Sequence, residues 1–222
     1  MPSYFRQVPD FQYVNRTADA QNISDYQTVK NLFKRGKLRE DIFGNLSFFT
    51  KYQIVGDERP DNVAYKLYDD ETLDWVILLA NNILNVQTEW PLSQSSFDNF
   101  LLEKYGTYDN IASVHHYETI EIRNSSGLLL IPAGIRVPSN FSTTFYDDGL
   151  GRQVTRRNIT AAITNFDYEQ KIQDDKRNIF VLKARYLNVI LNDMEELMTY
   201  KKGGDQYVNP TLKKGDNIRL YS

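Results

Sequence analysis

The groups in this 222-residue sequence best suited to proton transfer or metal binding are the adjacent imidazoles His115-His116 and three carboxylate clusters. The clusters are Asp69-Asp70-Glu71, Asp147-Asp148 and Asp174-Asp175. The histidines lie in SVHHYETIEIR, whose alternation reads as a strand. Alternation sends neighbouring side chains to opposite faces, so the pair cannot close on one metal ion, and each histidine reads as structural or solvated. Paired-carboxylate hydrolysis needs two acids held across a cleft at a set separation, which adjacency in sequence does not supply. Asp69-Asp70-Glu71 precedes a helical pattern, where Asp and Thr cap free N–H groups, and Asp147-Asp148 precedes Gly149 as at a hairpin tip. Gly149-Leu150-Gly151-Arg152 lacks the Lys-Ser/Thr of a phosphate-binding loop, and no serine lies in a G-x-S-x-G elbow. Zero cysteines remove disulfides, thiolate catalysis and cysteine-ligated metals together. The residues point away from an enzyme; no catalytic group, cofactor or metal site is assigned.

Composition narrows the class further. With 41% apolar and 25% charged residues the chain is an ordinary globular one, and a net charge of −3 argues against coating nucleic acid, which needs a dominant basic face. The start, MPSYFRQVPDFQYV, has no apolar leader, and no apolar run approaches the length that crosses a bilayer, so synthesis and folding in a cytoplasm without membrane insertion are expected. Fifteen Tyr and 12 Phe against two Trp favour surfaces that bury an apolar body while keeping a polar tip, as protein interfaces do.

The elements that must position these groups form an α+β chain of four segments. Residues 1–45 read as an extended aromatic arm, interrupted by Pro2 and Pro9 and ordering on a neighbour, followed by a basic helix over 28–42 with Val29, Leu32 and Phe33 at helical spacing and Gly36 as its breaker. Residues 46–110 read as an α/β core: a strand in LSFFTKYQIVG, two helices, and a third helix in SQSSFDNFLLEKYG between a serine cap and Gly106. Residues 111–160 read as a small antiparallel β insertion with a hairpin around Asp148-Gly149. Residues 161–222 read as a helix in ITAAITNFDYEQKIQDDKRN, a strand in IFVLKARY, an amphipathic helix in LNVILNDMEELMTYK and a tail that ends in a strand.

The strongest hydrophobic signal is GDERPDNVAYKLYDDETLDWVILLANN, residues 56–82. Pro60 suits a first helical turn, and Val63, Ala64, Leu67 and Tyr68 make a stripe. Trp75 to Ala80 is apolar nearly all round, so that helix must be buried, with Asp70 or Thr72 as its cap and Asn81-Asn82 closing it. The order of a strand, Gly56-Asp57, a helix, Tyr68-x-Asp70, and a helix starting near Trp75 and ending Ala80-Asn81 is similar to a LysM module, a βααβ unit that commonly binds N-acetylglucosamine polymers. That resemblance makes Tyr68, Trp75 and Leu79 module core, and TEWPLS (88–93) its closing strand.

A wider resemblance runs through YQIVGDERPDNVAYKLY (52–68), LDWVILLANN (73–82), TEWPLS, Tyr168-Glu169, IFVLKARY and the final Asn-Asp-Met helix. Together these look like the baseplate wedge proteins of T-even-like contractile-tailed phages. Asp69 stands where that family usually carries glycine. The resemblance implies a non-enzymatic virion subunit of the tail baseplate, made in the host cytoplasm, that joins neighbouring wedges by contacts with other wedge proteins, without cofactor. Tyr4, Phe5, Phe11, Tyr13, Lys34, Arg35 and Trp90 are the residues expected to make such contacts. The alternative is a peptidoglycan- or chitin-binding LysM module, which the residues favour less because Tyr65 and Trp90 offer the only aromatic shelf.

Overall fold

Capped apolar runs and β-branched, aromatic stretches interleave along the chain, giving the α+β class expected from the sequence. A computed structural model describes residues 3–14 and 26–215. A helical turn, α1 (Tyr4–Gln7), leads into β1 (Asp10–Val14), and β2 (Tyr26–Lys30), α2 (Glu40–Phe43) and β3 (Phe49–Gln53) follow. Next come α3 (Pro60–Tyr68), α4 (Asp74–Ala80), α5 (Val86–Glu89), α6 (Gln94–Tyr105) and α7 (Tyr108–Ala112). Strands then dominate: β4 (Val114–Thr119), β5 (Ile122–Arg123), β6 (Leu129–Ile131), β7 (Arg136–Val137), β8 (Thr143–Asp147), β9 (Arg152–Arg156) and β10 (Thr160–Thr164). The chain ends with α8 (Asn165–Lys176), β11 (Asn178–Leu182), α9 (Leu187–Met198), β12 (Tyr207–Asn209) and β13 (Leu212–Gly215). Contacts divide it into two units: the segments up to Trp90 and from Asn178 onward make the first, and Pro91–Arg177 the second.

In the first unit, Val63 and Ala64 of α3 and Val76 and Ile77 of α4 are wholly buried, with Leu73 and Trp75 close to it. They pack with Val181 and Leu182 of β11 and Ile190 and Met194 of α9. At about 1.5–3 kcal/mol for each large side chain removed from water, this cluster dominates the stability of the unit. Local chemistry delimits the helices. Pro60 opens α3, where its missing N–H loses nothing. Asp69 ends α3 at φ +57°, and aspartate is among the residues that tolerate the left-handed region. The Asp70 carboxylate accepts from the Thr72 N–H and hydroxyl ahead of α4, and Asn82 (φ +52°) turns the chain away after it.

The partner of β3 is not the stretch Thr88–Ser93. Residues 86–89 are helical, and Trp90 turns inward, 5% exposed, its Nε1–H donating to the Glu58 carbonyl at 2.9 Å. The strand beside β3 is β11, antiparallel, with Phe49 opposite Leu182 and Gln53 opposite Asn178. One side chain from α4 secures its outer edge. The Asn81 amide donates to the Phe180 carbonyl and accepts from the Phe180 N–H, both at 2.8 Å, while the same Nδ2 reaches the Ile77 carbonyl at 2.9 Å. Tyr68 adds a hydroxyl bond of 2.8 Å to the Leu182 carbonyl.

Two readings of the N-terminal segment are corrected. Residues 10–14 and 26–30 are not a free arm: β1 lies inside a sheet of order β12-β13-β1-β2, antiparallel to β2 and parallel to β13. The tail covers the edge that would otherwise seek a neighbour, Pro9 falls just before the strand where no N–H is required, and Lys30 pairs across strands with Asp10 at 2.8 Å. Residues 28–42 are not one helix either. Val29 is committed to the sheet opposite Phe11, and only Glu40–Phe43 is helical. Gly36 serves close approach rather than helix breaking: a Cβ there would strike the Met194 side chain. The strand expected in the tail is β13; its continuation past residue 215 and the reach of the arm over 15–25 lie outside the described residues.

In the second unit, Ser93 caps α6, Gly106 (φ +80°) ends it, and Phe97, Leu101 and Ile111 form a small core. The helix expected from Ile159 begins only at Asn165. The β-branched Thr160, Ile163 and Thr164 extend beside β4, and the Thr164–Asp167 capping box starts α8. Buried Glu169 on α8 is met by Lys104 Nζ at 2.6 Å and the Tyr105 hydroxyl at 2.9 Å. The hairpin expected around Asp148-Gly149 is β8–β9. Gly151 (φ +63°) supplies its left-handed residue, and Gly149 lies where a Cβ would strike the Ser125 hydroxyl. The buried Asp147 carboxylate accepts from the Ser125 hydroxyl and from the N–H groups of Ser125 and Gly149, both at 3.1 Å.

Two outcomes follow from this geometry. Asn81→Ala leaves both polar groups of Phe180 without their partner and lowers stability by about 1–2 kcal/mol in urea unfolding, with Asn81→Asp intermediate because it keeps the acceptor. The Ser125 hydroxyl, opposed by burial, holds the Asp147 carboxyl below its ordinary 3.8. A depressed carboxyl stabilises the folded hairpin above its unfolded value, and that contribution is lost as pH falls through the folded one. The amide protons of Ser125 and Gly149 therefore titrate in NMR with a midpoint below 3.8, and in Asp147→Asn they do not titrate.

Candidate functional site

The groups singled out for chemistry are occupied with structure. His115 and His116 do not point apart. Ile163 pairs with His116 and Thr164 with Val114, so His115 is the extra residue of a β-bulge, and the bulge turns both rings the same way. Their Nδ1 atoms are 2.8 Å apart, and His116 Nε2 lies 3.0 Å from Glu118 Oε1. One order of protons satisfies all of these atoms: His115 Nδ1–H donates to His116 Nδ1, and His116 Nε2–H donates to Glu118. His115 also stacks on Tyr168, centroids 4.1 Å apart, and burial followed by the neighbouring His116 pushes its pKa down. This closed relay leaves no nitrogen pair for a metal, and among the described residues no group of three or more metal-ligating side chains assembles.

The acidic clusters are used in the same way. Asp69 and Asp70 form a helix end and a cap, Asp147 orders a turn, and Asp174 accepts from Gln170 at 2.9 Å on its own helix. Glu58, in the most distinctive part of the sequence, accepts from the Tyr52 hydroxyl at 2.9 Å and the Val55 N–H at 3.2 Å, pairs with Lys66, and through its carbonyl holds Trp90. A carboxylate with three partners, two on Oε2 and one on Oε1, is a brace. None of these sites offers an open acid–base pair.

What the surface does present is contact area. Of the residues expected to meet partners, Trp90 is buried and Tyr4 packs, partly buried, against the core. The Tyr4 ring lies 6.1 Å from Trp75, and its hydroxyl accepts from the Gly36 N–H at 2.9 Å. Phe11 is half-buried over Gly215, where a Cβ would come within 2.8 Å of its ring. Phe5 is exposed with its ring edge-on to Tyr4, and Tyr13 is exposed with its hydroxyl donating to Gln27 at 3.0 Å. Of the residues assigned to the module core, Trp75 is fully enclosed, whereas Tyr68 and Leu79 pack on the core from its margin.

Lys34 and Arg35 flank the same turn and do different work. Lys34 Nζ donates to the carbonyls of Leu197 (2.7 Å) and Thr199 (3.0 Å), closing the C-terminal end of α9, a placement a helix dipole favours. Arg35 is exposed at the mouth of a cleft of about 470 Å³ floored by Leu38, Phe43 and Leu79. Leu32 and Phe33, read as lying at helical spacing, stand out in solvent on a turn beside them. The signal that separates the two readings is Asn31, whose side chain accepts from the Phe33 N–H and favours a turn over a helix.

A family model described as base plate wedge protein 53 matches residues 5–125, more than half of the chain. The baseplate wedge protein gp53 of Enterobacteria phage T4 is 23% identical over 200 residues, which cover 87% of this chain and 92% of that protein. Among the described residues no helix is long and apolar enough to cross a membrane. The chain belongs to the base plate wedge protein 53 family.

Proposed function

We propose that this chain is a structural subunit of a phage tail baseplate wedge and that it joins neighbouring wedges through protein–protein contacts during assembly. The observation that carries the reading is the extent of the likeness: the relative aligns over nearly all of its own length, and the family match crosses from the first unit into the second. A shared glycan-binding module alone gives a match confined to that module. The β3–α3–α4–β11 body, which we read as LysM-like, then acts as a scaffold whose helices hold the sheet and whose turns and edges reach neighbours. Synthesis belongs to the host cytoplasm and residence to the virion. No catalytic step and no cofactor enter the mechanism. Stability of the assembled particle comes instead from apolar area removed from water at each contact, at about 25 cal/mol per Å² before the cost of association.

Phage carrying a nonsense mutation in this gene tests the reading. Single wedges are expected to accumulate and to sediment more slowly than complete baseplates, and added purified protein restores closure. Complete, infectious particles assembled without the chain contradict it. Incubating the full chain with cell-wall sacculi and chitin oligomers separates the alternative: no retention is expected, and stoichiometric retention points to glycan binding instead.

A further inference from the structure

We propose that the Leu32–Phe33 turn is a preformed aromatic knob that seats in an apolar, carboxylate-rimmed pocket on another protein of the baseplate. This rests on the reading of the chain as a wedge subunit and adds to it the surface and the chemistry of its partner. Phe33 is fully exposed and Leu32 is 71% exposed. A folded chain gains nothing from holding these side chains in water, and burying either on a partner contributes about 1.5–3 kcal/mol.

The turn is held by hydrogen bonds on both sides. The Asn31 N–H donates to the Pro9 carbonyl at 2.8 Å, the Lys34 N–H to the Asn31 carbonyl at 3.0 Å, and the Phe33 N–H to the Asn31 side chain at 3.2 Å. Asn31 Nδ2 donates to the hydroxyl of Tyr200 at 2.7 Å, and that hydroxyl donates in turn to the Asp10 carbonyl at 3.2 Å. Tyr200 is itself buried, and Lys34 ties the far side of the turn to the end of α9. A side chain carried on backbone that is already ordered gives up little conformational entropy on binding, which is what makes an exposed aromatic an effective anchor.

Charge identifies the kind of pocket. The ammonium groups of Lys34 and Lys213 approach the Tyr200 ring, 4.8 and 5.1 Å from its centroid. After burial, the charges of Lys213 and Lys201 are what push the Lys34 pKa down. Arg35, next to Lys34 in the chain, is exposed, and its cleft is also lined by Lys37 and Glu40. A cationic collar on a chain of net charge −3 complements an acidic rim. The same collar opposes the pairing of this patch with itself in a second copy, because the two sets of cations would face each other.

The test uses the full chain and the remaining wedge proteins of the same phage, mixed in solution. Phe33→Ser and Arg35→Glu are each expected to lower incorporation into the wedge about tenfold or more while leaving the melting temperature unchanged, since both side chains are exposed. A benzophenone side chain at position 33 is expected to cross-link to one other wedge protein, at an apolar segment flanked by Asp or Glu. Incorporation of Phe33→Ser equal to that of the native chain overturns the proposal, as does a cross-link to a second copy of the chain. A native chain that stays out of the wedge altogether overturns the assembly reading and this proposal with it.

Discussion

The first unit depends on one pairing, that of β3 with β11. The two strands are brought together from either side of the whole second unit, and no disulfide is available to hold them. Bringing distant strands together costs loop-closure entropy, which grows only slowly with the length enclosed. What offsets it is the burial of Val181 and Leu182 against α4, together with the Asn81 clamp on the edge of β11 that, among the described residues, no strand occupies. Remove that pairing and α3 and α4 lose one wall of their core, α9 loses the strand that delivers it, and the β12–β13 hairpin that completes the terminal sheet is no longer aimed at β1.

The second unit can then be understood as an insertion between α5 and β11, with a core and an ion-pair network of its own. Lys104 and Tyr105 on α6 converge on Glu169 of α8, and the His115–His116–Glu118 relay lies on β4. These are the polar groups a sequence reader is drawn to for chemistry. Their burial explains their behaviour: a carboxylate or imidazole removed from water must find partners, and each group here has found them inside the fold.

How much could be read beforehand follows from the range of the interactions involved. Pro60, Asp70, Asn82 and Asp148-Gly149 act on their immediate neighbours, and the helix limits and hairpin they imply are where the structure has them. Registers between distant segments left no comparable local trace. TEWPLS is as apolar as a closing strand should be, yet Trp90 is buried from a helical turn, and β11 takes the place beside β3. The helical spacing of Val29, Leu32 and Phe33 was a coincidence of a strand followed by an Asn turn. At His115 the period of two failed because one extra residue bulges out of β4. The exposed knob was hidden for the same reason: its residues fit a helix that the sheet partner of Val29 prevents from forming.

On the proposed reading the fold is a preformed body, and assembly adds neighbours to it without having to build it. Hydrogen exchange on the chain alone and within assembled wedges measures this directly. The account predicts that the hydrogen-bonded amides of residues 49–53 and 178–182 are protected alike in the free chain, exchange only through global unfolding, and change little on assembly. Protection of these strands that arises only in the wedge, or β11 exchanging independently of β3, would contradict it.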